Sequence, residues 1–412
     1  MQSTRKDSLW RNRDFLLLMS GQTISTFGSS ISGIAAPLLI LALTHSPAQA
    51  GIAGALEALP FILFSLPAGA LVDRWNRKRM MIICDIGRAL NLVTLLLALF
   101  SGHLTIVQIY INSFLEGSLF VFFSSAQTAA LSRVVEKRKL SNVYAIDETL
   151  ANSAMLIGPS VGSLLYSINN ALPFVADVIS YIISFISLSW IETPFQQVRI
   201  GEQRPLREEI VDGINYLWHN PLFRFMAFYG VGFLAVLSTQ SLLVIVLAQH
   251  QHASPVMIGL IFTVGSVGSI VGSVLGGQVQ KRLSFSQLII GLTWLLVILW
   301  LLYVVAVNLV LLAVITCGIS IVDPLISVVY MSYRMAHTPD EFRGRLNSTH
   351  RLIAFSMRPL GMALAGFLLQ YAGATVTILT FAAILTVLGL STILNVHIRN
   401  APSLHEEVEF SH

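Results

Sequence analysis

The sequence predicts an all-α integral membrane protein with twelve transmembrane helices in two pseudo-symmetric six-helix bundles and both termini in the cytoplasm. Three observations lead there. Hydrophobic residues make up 55% of the 412-residue chain and charged residues only 11%, against about 25% charged in ordinary globular proteins, which is too little to build a water-soluble surface. The apolar material, at a mean hydropathy of +0.74, lies in continuous runs of about 20 residues or more, the length that crosses a hydrocarbon core of about 30 Å. Continuous rather than alternating runs mean helices and not a barrel. Finally, all 25 Lys and Arg fall on one side of the membrane when the chain is threaded through twelve spans.

Span 1, at 15–43, follows Arg5, Lys6, Arg11 and Arg13 and is too long for the apolar core of a signal peptide. Spans 2 and 3, at 49–72 and 80–100, flank Arg74, Arg77, Lys78 and Arg79, and Arg88 counts with that connection. Span 4, at 104–131, runs into Arg133, Lys137, Arg138 and Lys139. Spans 5 and 6, at 146–167 and 171–191, lead to Arg199, Arg204, Arg207 and Arg224 around the start of span 7, at 222–248. Span 8, at 255–279, is followed by Lys281 and Arg282, then span 9 at 286–306 and span 10 at 309–333. Arg334, Arg343, Arg345, Arg351 and Arg358 surround the start of span 11, at 349–370, and Arg399 follows span 12, at 375–396. Cations stay on the cytoplasmic side, so both termini are expected there and the number of spans is even.

The chain repeats itself. Trp10, Asn12 and Phe15 recur as Trp218, Asn220 and Phe223, Ser46, Pro47 and Gly51 as Ser254, Pro255 and Gly259, and Gly69 as Gly277, all at an offset of 208. The division that follows is an N-terminal bundle at 1–191, a linker at 192–221, a C-terminal bundle at 222–396 and a tail at 397–412. Such internal symmetry is how secondary transporters build a midplane site. In the linker Leu206, Ile210, Ile214, Leu217 and Trp218 recur at helical spacing, which predicts an amphipathic helix on the membrane surface. The tail, acidic at Glu406, Glu407 and Glu409, is expected to be disordered.

A net charge of +4 does not mark a nucleic-acid binder here, because the cations sit in short clusters between apolar runs. Cys84 and Cys317 lie inside such runs and imply no disulfide framework. No phosphate-binding Gly-Lys loop, His-Glu-x-x-His or Cys-x-x-Cys occurs, so neither enzymatic activity nor a cofactor or metal is expected. The expected partners are a small-molecule substrate, protons and the lipid bilayer, with the protein a monomer.

One connection carries a motif. In Gly69-Ala-Leu-Val-Asp73-Arg74-Trp-Asn76-Arg77-Lys78-Arg79, Gly69 would let two helices approach closely, and Asp73 would accept hydrogen bonds from a helix N-terminus. Asn76 would tolerate a left-handed turn, and the cations would stand at headgroup level. Asp85 and Arg88, one helical turn apart, can pair with each other or with the loop charges. This segment resembles the cytoplasmic loop motif of the major facilitator superfamily, G-x-L-x-D-R-x-G-R-R/K, with Asn76 in place of the usual Gly. The resemblance implies a cytoplasmic gate that holds the two halves together, with its roles on Asp73 and Arg74.

In span 5, Gly158-Pro159-Ser160-Val161-Gly162-Ser163 sets small residues at i and i+4 beside a helix-bending proline. It resembles the antiporter motif of exporters in that superfamily, G-P-x-x-G-G, with Ser163 replacing the last Gly. Generic helix packing, as along Gly268, Gly272 and Gly276, is the competing explanation. With Arg343-Gly344-Arg345 after span 10, the whole chain most resembles bacterial exporters of the macrolide-efflux and enterobactin-exporter kind.

Four acids lie inside spans, where an ionisable group is a functional candidate by default: Glu57, Glu116, Asp177 and Asp323. Counting about 1.5 Å per residue puts Glu116 roughly 18 Å and Asp323 roughly 21 Å from the outer edge, near the middle of the bilayer. They differ by 207 positions, almost the repeat offset, and no Lys or Arg is expected at their depth. A buried carboxyl without a cation can bind and release a proton and attract a cationic substrate, so Glu116 and Asp323 are the leading coupling residues and Glu57 a further one. Glu57 and Asp177, roughly 12 and 9 Å deep, also read as structural or vestibule groups. Gln22, Ser25, Phe120, Phe123 and Tyr330 are candidate cavity-lining residues for a large apolar substrate. The expected function is proton-coupled export of drug-like or siderophore-like molecules by alternating access. A nutrient importer, or a receptor without flux, is the alternative.

Overall fold

A computed structural model describes residues 12–135, 139–193, 195, 215, 217–338, 353 and 355–399. Its helices are α1 (Arg13–Thr44), α2 (Pro47–Arg74), α3 (Arg77–Phe100), α4 (Ile106–Val134), α5 (Leu140–Ile168) and α6 (Leu172–Ser189). Then come α7 (Pro221–Leu237), α8 (Gln240–His250), α9 (Pro255–Val279), α10 (Phe285–Leu302), α11 (Leu309–Ala336), α12 (Arg358–Tyr371), α13 (Gly373–Leu394) and the single turn α14 (Val396–Arg399). Among the described residues ten stretches are long and apolar enough to cross a membrane. Helix α5 has the length, at 29 residues, but Asn152, Ser153, Ser160, Ser163 and Ser167 dilute its hydropathy. The described part of the eleventh run, α12, has 14 residues.

The contacts divide the chain into two compact units, Met1–Thr44 with Leu56–Glu202, and His45–Ala55 with Gln203–His412. In unit 1, α1 packs along α5 and α6, and α3 along α4 and α6. In unit 2, α9 and α10 pack on α11, and α13 packs on α7, α10 and α12. Most of the linker and all but three residues of the tail read from the sequence lie outside the described residues. Of the amphipathic stripe, Leu217 is buried and Trp218 exposed.

Helix starts follow local chemistry. Asn12, Asn76, Asn220, Ser254, Ser284 and Asn308 each accept a backbone N–H of the first turn through a side-chain oxygen. Asn76 thereby corrects the expected left-handed turn. Its φ is −67° and it is the N-cap of α3, bonding Arg79 N at 3.1 Å. Replacing Asn76 by Ala is expected to lower stability by about 1 kcal/mol, and replacing it by Gly by only a few tenths, as read from thermal unfolding midpoints in detergent.

The seventh run is not one helix. Ser238 and Thr239 turn their hydroxyls onto the carbonyls of Ala235 and Val236, at 2.8 and 2.7 Å, and the helix is interrupted there. Hydroxyls that bond nearby backbone carbonyls compete with the helical ladder. Apolar counting cannot see this.

Unit 1 has two apolar cores. One gathers Phe15, Met19, Met80, Met81, Cys84, Phe123, Leu131 and Leu188, and the other Ala35, Leu39, Leu92, Leu95, Phe174 and Tyr181. Along α1, α3 and α6 the stretches between these two sets carry buried polar residues, among them Ser25, Asp85, Arg88 and Ser184.

Candidate functional site

The polar layer is built from four helices. Helix α1 contributes Ser25, Ser29 and Ser32, spaced to share one face, and its Gly28 allows α6 to approach. A Cβ on Gly28 would lie 2.1 Å from Ser180 Oγ and 2.7 Å from Asp177 Oδ1. Helix α6 contributes Asp177, Ser180, Tyr181 and Ser184 at i, i+3, i+4 and i+7. Helix α3 contributes Asp85 and Arg88, and α4 contributes Glu116.

Arg88 organises the layer. Its Nε donates to Glu116 Oε1 at 2.6 Å, its NH2 to Ser29 Oγ at 3.2 Å, and its guanidinium lies 4.2 Å over the Tyr181 ring and 5.5 Å from the Phe120 ring centre. The Tyr181 hydroxyl donates to the same Glu116 oxygen at 2.7 Å and lies 2.9 Å from Ser29 Oγ. Asp177 is 1% exposed, with Ser180 Oγ 3.1 Å from Oδ1 and Ser32 Oγ hydrogen-bonded to Oδ2. Asp85 is fully buried, faces Ser184 across the α3–α6 seam, and among the described residues has no hydrogen bond of ordinary geometry to either oxygen.

This corrects two expectations. Glu116 does have a cation at its depth, because Arg88 lies eleven residues into α3, about 16 Å from the helix start, while Glu116 lies about 15 Å into the antiparallel α4. Arg88 therefore belongs to the bundle and not to the loop, and its partner is Glu116 rather than Asp85. Asp323 differs. It is partly buried, with Ser327 Oγ at 3.5 Å and no ion pair among the described residues. At the repeat offset of 208, Arg88 corresponds to Leu296, which is fully buried, so unit 2 has no copy of this cation.

The remaining candidates separate. The Glu57 side chain is exposed, while its backbone carbonyl would be 2.0 Å from a Cβ on Gly117, so Gly117 is what lets α2 and α4 meet. Phe123, at 1% exposure, is core rather than lining, whereas Phe120 is 47% exposed. Ser25 is buried, and Gln22 bonds Thr26 on its own helix. Tyr330 donates to the Met226 carbonyl and stacks on Tyr229, which continues into Phe225 and Phe233.

In the loop motif, the Asp73 side chain lies outside the described residues, and Arg74 is exposed. A Cβ on Gly69 would meet no described atom within 4 Å. Arg77 and Lys78 are tied to backbone carbonyls. Arg77, 7% exposed, donates to the carbonyls of Ala129 and Phe195 at 3.1 and 3.2 Å, and Lys78 to those of Ser189 and Ile191 at 3.0 and 2.6 Å. Cations at the carbonyl ends of helices satisfy orphan acceptors and the helix dipole. Gly158 and Gly162 face α1, where a Cβ would lie 2.3 Å from Ser30 Cβ and 2.4 Å from the Ile31 carbonyl, with Pro159 between them.

From the sequence, Arg88 counts with the loop charges, Asp177 reads as a structural or vestibule group, and Tyr181 carries no mark of a site residue. The available signal was the serine stripe of α1 facing the Asp177, Ser180, Tyr181 and Ser184 stripe of α6.

An all-helical chain with ten stretches long and apolar enough to cross a membrane among the described residues, and with charges inside them, has the build of a multi-pass membrane protein. The Major Facilitator Superfamily matches residues 18–332 and again 228–409. The chain belongs to that family: it is a multi-pass secondary transporter and not an enzyme. It is 24% identical over 397 residues to the multidrug efflux pump Tap of Mycobacterium tuberculosis, covering 93% of each chain. It is 24% identical over 275 residues to macrolide efflux protein A of Streptococcus pyogenes, covering 65% of this chain and 68% of that one. In fold it is similar to the nucleoside transporter NupG, with a TM-score of 0.75 at 12% identity over 95% of this chain and 100% of that one. It is also similar to a bacterial homologue of the iron transporter ferroportin, with a TM-score of 0.74 at 15% identity over 94% and 99% of the two chains.

Proposed function

We propose that this transporter is a proton-coupled exporter of amphipathic small molecules, cationic or siderophore-like, working by alternating access between two six-helix halves with both termini cytoplasmic. The observation that carries this reading is the pairing of the buried Arg88 with the partly buried Glu116, beside the buried Asp85 and Asp177, in the apolar bundle. Charged groups at such depth are costly and persist where they bind ions or substrate. The layer has more acid than base, which suits exchange of a proton for a cation. The names of the two efflux relatives, and the Gly158-Pro159 segment of α5, favour export over import.

Proteoliposomes with an imposed pH gradient test it, with ethidium and a macrolide as the probes. Export coupled to protons predicts probe movement against the inward proton flow and collapse of that movement by a protonophore. Movement of probe with the protons would support an importer, and binding without flux a receptor.

A further inference from the structure

The polar layer of unit 1 holds one guanidinium and three carboxyl groups, Asp85, Glu116 and Asp177. In an apolar interior an uncompensated charge costs several kcal/mol, so the layer is stable only near neutrality. Arg88 and Glu116, in contact at 2.6 Å, neutralise each other. Asp177 then has no cation in contact among the described residues, and its two oxygens are met by the Ser32 and Ser180 hydroxyls. A hydroxyl both donates and accepts, so it can serve a carboxyl with or without its proton. The geometry points to Asp177 as the proton-binding residue of unit 1, with the Arg88–Glu116 pair as its counter-charge.

The surroundings of Asp177 bear this out. Helix α1 offers Ser32 and the space left by Gly28, and α6 offers Ser180 and Tyr181. Helix α3 offers Arg88 and α4 offers Glu116, paired with each other. Arg88 is the buried cation of this layer among the described residues. It is stacked on Tyr181, one turn along α6 on the same face as Asp177.

The step is a plain protonation. A proton from water adds to an Asp177 oxygen to form an O–H bond, and release breaks that bond and returns the proton to water. The carboxylate left behind competes with Glu116 for Arg88. Exchange of that one guanidinium between α4 and α6 would link proton binding to helix packing.

This assignment rests on the proton-coupled reading, and two measurements on the full-length protein in lipid vesicles keep the two apart. In infrared difference spectra between acid and alkaline pH, Asp177→Asn is expected to remove one component of the protonated-carboxyl stretch. The charge-balanced double variant Arg88→Gln/Glu116→Gln is expected to retain it. A component lost in the double variant and kept in Asp177→Asn, or one lost only in Asp85→Asn, overturns the assignment. Should Asp177→Asn not fold, Asp177→Glu must shift the same component, and an unmoved band overturns the proposal. With ethidium as probe, Asp177→Asn is expected to lose about tenfold or more of gradient-driven accumulation while retaining exchange without a gradient, as for a group acting only in the coupled step. Wild-type accumulation in that variant also overturns it. If wild-type vesicles accumulate no ethidium under any pH gradient, the proton-coupled reading fails, and the infrared spectra alone decide where the proton sits.

Discussion

Arg88→Leu is expected to be the most damaging single substitution in unit 1, lowering stability by about 3–5 kcal/mol, the cost of leaving one member of a buried ion pair without the other. Arg88 is 4% exposed and Glu116 19%, so little solvent reaches the pair to replace the lost partner. The loss is compounded because Glu116 Oε2 already has no hydrogen bond, and only Tyr181 would remain on Oε1. The double variant Arg88→Leu/Glu116→Leu removes the pair as a unit and is expected to regain most of the loss, since apolar replacement of a whole buried pair is often neutral or favourable. Thermal unfolding of wild type, both single variants and the double variant closes the cycle. A double variant as unstable as Arg88→Leu alone would show that the pair is not the source of the effect.

Gly272→Leu should damage unit 2 comparably. A Cβ at this position would lie 2.2 Å from the carbonyl oxygen of Ile321 and 2.9 Å from its carbon, atoms of the α11 backbone that cannot rotate aside. Gly268 meets the Cys317 carbonyl at 2.6 Å on the same seam. Overpacking of this kind costs about 1–3 kcal/mol, more when the backbone must separate, so Gly272→Ala is expected near the top of that range and Gly272→Leu beyond it. Gly291 is the control. It lies within α10 with nothing within 4 Å of a Cβ, and Gly291→Ala is expected to be neutral or to stabilise by up to about 1 kcal/mol. The monodisperse fraction after purification and the melting midpoint separate the two outcomes. Equal behaviour of Gly272→Ala and Gly291→Ala would refute the packing argument.

Much of this arrangement is legible in the amino-acid order. The apolar runs give the helices, and the tight α1–α5 seam at Gly158 and Gly162 follows from small residues one turn apart. What the order does not contain is the choice of neighbour across helices. Phe120 and Phe123 sit three positions apart on α4, yet one is largely exposed and the other fully buried. Periodicity gives a face but not what lies opposite. Arg88 shows the same limit with larger consequence. Counting cations by side placed it with the loop, whereas its position along α3 and the acid on α4 decide its partner. The cations Arg77 and Lys78 likewise reach carbonyls of α4, of α6 and of the segment after it, more than fifty residues away in sequence. Spacing within one helix carries no information about such contacts.

The N-cap residues Asn12, Ser46 and Asn76 have their counterparts Asn220, Ser254 and Ser284 at a constant separation of 208, while the next pair, Thr105 and Asn308, is 203 apart. An ancestral duplication would leave this trace: the first two spans of each copy kept their length, and the five-residue difference falls between the third and fourth N-caps, where the third helix has 24 residues in one copy and 18 in the other. Chimaeras spliced at Asn76 and Ser284 would join segments in phase, whereas splices beyond Thr105 would need five residues restored before the two lineages could be exchanged.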